Sequence, residues 1–205
     1  MYVNKELAKN VIKQSLQDSF AEIRDSNDLM LKLLEESDWS IVIKSHALIE
    51  SVVTELLISH TSEEMLRATI KRLPLSDSSI GKLKVAKDLG LMDSCQRTFI
   101  RKLSELRNDL VHNIENVSFS LKNFVDALDA SQKKSWLKAL AWQEENTDAS
   151  QAITDLFESM PKISFWLSIN SLVSVIQIDI AKIKGTHKIN AEAAAFVNEI
   201  VKKIV

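Results

Sequence analysis

Cysteine is nearly absent. Cys95 stands alone in 205 residues, so no intramolecular disulfide can form and a zinc site built from several thiolates is excluded. Glycine and proline are scarce too, three and two in number, which leaves little turn chemistry for hairpins and no Gly-rich loop to cradle a phosphate. An excess of one charge is also missing: the net value of -2 argues against the broadly basic surface of a protein that coats nucleic acid, although a local basic site stays open. The chain shows no internal repeat and no low-complexity tract. Its opening, Met1 to Leu7, lacks a continuous apolar core of signal-peptide length, so the expectation is no export signal and cytoplasmic residence. The longest apolar run, Phe165 to Ile183, is interrupted by Asn170, Gln177, Asp179 and Lys182. A lone membrane span would carry an unpaired Asp, so the run reads as a buried or dimer-packing helix rather than a membrane anchor.

What is abundant is helix-forming: Leu, Ala, Lys, Glu, Ile and Ser dominate, and 45% hydrophobic content suffices for a core. The expected fold class is all-α, a helical bundle with a C-terminal helical extension. Residues 1–118 are read as the core carrying the site motif, and 119–205 as an extension packed on it within the same domain. Apolar spacing predicts helical structure over 4–36, then a central helix from Asp38 to Ser59. Thr61-Ser62-Glu63-Glu64 has the form of a capping box for a short helix to about Lys71. Pro74 to Ser79 reads as a loop, and Ile80 to Leu89 as a helix stopped by Gly90 in the left-handed region. Asp93-Ser94 caps the next helix, expected to end near His112. Leu121–Leu128 and Lys133–Trp142 are predicted short helices separated by polar Asp129 to Gln132. Gln143 to Ser150 is a connector, followed by a short helix from Ala152 to Ser159. Pro161 opens a long helix, Gly185 stops it, and a final helix begins near Asn190.

One hexapeptide stands out for chemistry, Arg107-Asn108-Asp109-Leu110-Val111-His112. Arg supplies a permanent cation whose forked donors match phosphate oxygens, and His exchanges a proton near neutral pH. At about 100° per residue, Phe99, Leu103, Leu106 and Leu110 share a narrow inward arc, while Asn108 and His112 lie almost opposite it. Arg97, Arg101 and Ser104 are placed on the same outer seam, where they could bind substrate by tracking a phosphate backbone. Arg107 falls about 140° around the helix from His112, so one straight helix does not aim both at a single point. A site shared across a two-fold axis removes that difficulty and predicts a homodimer, with the apolar helix from Pro161 to Lys184 supporting the interface or the core behind it. The structural alternative is an Arg107 paired with Asp109, Glu105 or a helix terminus, and a His112 that complements the helix dipole.

The other candidates are weaker. His46 and Glu50 have the i,i+4 spacing of a hydrogen-bonded pair or two metal ligands, but no third or fourth ligand stands nearby, so no metal and no cofactor are expected. Glu50 is retained only as a supporting residue that could orient an active-site Arg or His. His60 reads as a helix-terminal charge and His187 as an exposed loop residue. Cys95 has no neighbouring His, and the four tryptophans are scattered rather than interleaved with basic residues.

Three segments, Ser45 to Leu57, Ile80 to Met92 and Leu103 to Asn113, the last reading Leu-Ser-Glu-Leu-Arg-Asn-Asp-Leu-Val-His-Asn, together resemble the HEPN superfamily, most closely its mannitol-operon repressor-like branch. The resemblance covers about residues 40 to 115. It implies an all-helical, usually dimeric bundle in which an Arg, the polar residue after it and a His four to six positions on form a metal-independent ribonuclease site. Those positions fall on Arg107, Asn108 and His112. The implied function is an RNA endonuclease acting as a toxin or as a stress or phage-defence effector, with RNA, a second copy and an antitoxin or regulatory protein as partners. The alternative is a non-catalytic regulatory or protein-interaction module similar to the mannitol-operon repressor. No basic recognition helix of a helix-turn-helix is evident.

Overall fold

A computed structural model of the chain describes residues 28–61, 63–112, 114–143 and 148–204, together with positions 6, 9, 10, 13, 14 and 17. The helix or helix pair expected over 4–36 lies largely outside these, apart from a helical stretch at 28–33. The architecture is all-helical, with no strand among the described residues. The chain folds as α1 (Asp38–Thr61), α2 (Glu64–Arg72), α3 (Lys82–Asp88), α4 (Ser94–Val111), a 3-10 turn (Ile114–Ser118), α5 (Leu121–Ala127), α6 (Ala130–Leu140), α7 (Asp148–Leu156) and α8 (Pro161–Ile204).

Helix α1 is the axis of the molecule because its apolar residues face several directions: Ile41, Ile49, Val53, Leu56 and Leu57 are all fully buried. It packs along α8 on one side and against α4, α2 and α3 on others. Each such side chain removed from water contributes about 1.5–3 kcal/mol. One buried cluster runs without a break from Met30 to Ile180, so residues on both sides of position 118 share it. Asp38, in the first turn of α1, accepts the backbone N–H of Leu121 at 2.8 Å and pins the start of α5 to the core.

Helix α8 is 44 residues long, about 66 Å at 1.5 Å per residue. By length and composition its Pro161–Ala195 stretch could cross a bilayer. Here its Phe165, Ile169, Leu172, Val173, Ile176 and Ile180 are committed to the core. Gly185 does not stop it. A helical glycine costs roughly 1 kcal/mol relative to Ala, and the helix formers that follow, Ala191 and Ala193 to Ala195, outweigh one such penalty. His187 is therefore helical rather than in a loop.

Three local expectations are also corrected. Thr61 does not cap α2: α1 continues through it, its hydroxyl donates to the Ile58 carbonyl at 3.1 Å, and the cap position falls to Glu63 without a side-chain bond. Asp129 to Gln132 is not a spacer but the start of α6, with Asp129 and Gln132 forming a reciprocal capping box. The polar connector ends by Asp148, where α7 begins. By contrast Gly90 takes the positive φ of 68° that its role as a helix stop requires, and Asp93 with Gln96 forms the capping box that starts α4.

Candidate functional site

The motif helix is anchored at both ends. Phe99, Ile100, Leu103, Leu106 and Leu110 bury its inner face, and two side chains satisfy carbonyls in its last turn that the helix itself leaves open. The Trp39 indole N–H donates to Leu110 O at 3.4 Å, and Asn116 Nδ2 donates to Asp109 O at 2.8 Å. His112 is the C-cap, at φ -84° and ψ -12°, and its side chain is exposed. Asn108 is exposed as well, and Arg107 is half-buried on the α1 side. Arg107 Nη1 donates to Asn108 Oδ1 at 3.1 Å. The guanidinium thus turns to its neighbour rather than to Asp109 or Glu105, and the amide oxygen holds its fork near the end of the helix.

The outer seam inferred for substrate binding is not continuous. Ser104 is 2% exposed, covered by α1, and its hydroxyl lies between Ile100 O at 2.8 Å and His46 Nε2 at 3.1 Å. Arg97 is half-buried, with Nη1 donating to the Met92 carbonyl, so it closes the turn before α4. Arg101 is half-buried. A helical wheel gives each residue's direction but not how far a neighbouring helix wraps, and α1 covers the Ser104 flank as well as the apolar arc.

Beneath Arg107 the fold builds a polar seam that spacing alone did not reveal. His46 is 9% exposed between α1 and α4. Burial pushes its pKa down, the Arg107 guanidinium pushes it further, and Glu50 opposes both. Glu50 itself is bound by Lys82 Nζ at 2.7 Å, and the Lys82 side chain is only 2% exposed. Glu50 therefore acts on the histidine through space while its hydrogen bond goes to Lys82, a residue that the sequence reading missed. The i,i+4 pairing of His46 and Glu50 was the one signal pointing here.

Two clefts flank this region. One, of about 580 Å³, is lined by Glu50, Ser51, Thr54, Arg67, Lys71 and Lys82 among others. The other, of about 400 Å³, lies on the far side of α4 between Lys102, Glu105, Asp109, Phe124 and Trp136, with Lys102 Nζ 4.9 Å from the Trp136 ring centre. Cys95 is exposed and unpaired.

In chemical terms the end of α4 offers a fixed cation, an amide and an exposed imidazole within six residues. Arg107 is hydrogen-bonded to Asn108, which lies one turn before His112 on the exposed face of α4. No family model matches this chain, and no curated protein or solved structure shows significant similarity to it.

Proposed function

We propose that this chain is a metal-independent endoribonuclease of the HEPN kind, built on a HEPN-like bundle and working as a two-fold dimer. One observation carries the reading: Arg107 and Asn108 are hydrogen-bonded to each other beside an exposed His112, on a helix end that Trp39 and Asn116 hold in place. In the reaction His112 takes the proton from a ribose 2′-hydroxyl, whose oxygen attacks the adjacent phosphorus. The bond to the 5′-oxygen breaks, and His112 of a second copy protonates that leaving group. Arg107 counters the charge that builds on the phosphorane, and Asn108 aligns the guanidinium. The products are a 2′,3′-cyclic phosphate and a 5′-hydroxyl, and the cellular use is that of a toxin or a stress or defence effector. The test is RNA cleavage in EDTA by the wild-type chain and by His112→Ala, with loss of cleavage only in the variant.

A second reading, a non-catalytic regulatory module that binds a protein partner, is favoured by one feature. Of the three residues expected to hold substrate, Ser104 is buried and Arg97 is bonded to Met92 O, so the surface offers fewer contacts to phosphates than a nuclease groove would. Partner binding that survives Arg107→Ala, without RNA cleavage by the wild type, would establish this reading instead.

A further inference from the structure

The polar seam under α4 contains a histidine that the reaction above does not use. The Ser104 hydroxyl has one hydrogen, and its 2.8 Å contact to Ile100 O can only be a donation, because that partner is a backbone carbonyl. The 3.1 Å contact between Ser104 Oγ and His46 Nε2 must then run the other way, with the imidazole donating. His46 therefore carries its proton on Nε2, and a second proton would have to go to Nδ1. The ring sits against Ser104 of α4, one turn before Arg107 on the same helix; the charges that act on it are those of Arg107 and of Glu50, which stands one turn along α1 and is bound by Lys82 from α3. A proton on Nδ1 would add a second cation near the Arg107 guanidinium, with the Glu50 carboxylate already engaged by a buried ammonium.

We propose that His46 is a positioning residue for Arg107: its neutral imidazole, fixed by Ser104, backs the guanidinium on the α1 side and keeps it directed at Asn108 and the His112 end of α4. The role rests on the ribonuclease reading only for its catalytic consequence. The placement of Arg107 is readable without RNA. His46 does not reach the outer stripe, so its loss should act on the chemical step more than on binding.

The experiment uses the full chain and the variants His46→Gln and His46→Leu. Glutamine carries an N–H donor near the position of Nε2, and leucine carries none. His46→Leu is expected to lower kcat for RNA cleavage by on the order of 10- to 100-fold with KM little changed, as for a small misplacement of a catalytic group. His46→Gln should recover most of that rate and should lack the fall in activity that the wild type shows as His46 protonates. In parallel, nitrogen-15 NMR of the wild type should show the Nε2–H tautomer, and the Arg107 side-chain N–H signal should move with pH in step with His46 but stay still in His46→Gln. Thermal unfolding reports whether each variant folds, and His46→Gln together with the wild-type NMR titration still decides the matter if His46→Leu does not. Equal impairment of folded His46→Gln and His46→Leu, or an Arg107 signal indifferent to His46, overturns the proposal even if RNA is cleaved. A coupled Arg107 signal in a wild-type chain that cleaves no RNA retains the positioning role and removes the nuclease.

Discussion

Lys82 and Glu50 form an ion pair of 2.7 Å in which the cation is almost wholly buried, at 2% exposure, and the anion is 38% exposed. The asymmetry decides what each substitution does. Removing Glu50 strands an ammonium inside the protein, whereas replacing Lys82 by an apolar residue of similar length leaves a carboxylate that water can reach. Glu50→Ala is expected to destabilise the fold by about 1–3 kcal/mol, and Lys82→Met by less. Urea unfolding of both variants checks this; a larger loss for Lys82→Met would contradict the account of the pair.

Gly81 precedes α3 at a point where two backbone segments nearly touch. A Cβ built there would lie 2.3 Å from Asp77 O and 2.7 Å from Asp77 N. Asp77 cannot yield easily, because its side chain accepts the N–H groups of Ser79 and Ile80, at 2.8 and 2.9 Å, and its carbonyl accepts from Gly81 N. Gly81→Ala should therefore cost about 1–3 kcal/mol of stability by overpacking. The φ of -72° is one that any residue can adopt, so a wild-type melting temperature in this variant would show that the turn opens more freely than described.

His46 makes stability depend on pH in one direction. Its folded pKa is depressed, by burial first and by Arg107 second. Above the unfolded value of about 6.5 both states hold a neutral ring and the full stability is present. As pH falls below that value the unfolded chain takes the proton first, and stability declines until the folded ring also protonates. Denaturation at several pH values between about 7 and 5 should show this loss in the wild type and a shallower one in His46→Gln. Identical slopes would mean that the ring titrates normally in the fold.

Much of this arrangement was legible in the sequence, and the part that was not shares one cause. The inward arc of Phe99, Leu103, Leu106 and Leu110 and the outward placement of Asn108 and His112 follow from helical phase, and all six lie where phase puts them. Ser104 shares that phase argument yet is buried, because its exposure is decided by α1, which is far away in sequence. Lys82 escaped for the same reason, and His46 stood only as a weaker candidate beside Glu50: a lone lysine reads as solvated and a lone histidine as bland until α1, α3 and α4 are brought together. Gly185 was a local signal of the right kind, overridden by the helix formers that follow it, whereas Thr61 is taken up into the end of α1, its hydroxyl donating to the Ile58 carbonyl instead of capping the next helix.

The two-fold composite site carries its own test. The proposed chemistry uses one His112 as base and the His112 of a second copy as acid, and a stable interface that brings them together should bury at least about 1,200 Å² in total. Sedimentation at micromolar concentration is expected to show a dimer. A strict monomer that cleaves RNA at full rate would rule out the shared site while leaving the fold untouched.

The ends of the RNA that the purified chain leaves in the presence of EDTA report on the proposed reaction itself. They should be 2′,3′-cyclic phosphate and 5′-hydroxyl, with cleavage undiminished by the chelator and abolished in folded His112→Ala. Cleavage that EDTA stops, or that His112→Ala performs as well as the wild type, would contradict it.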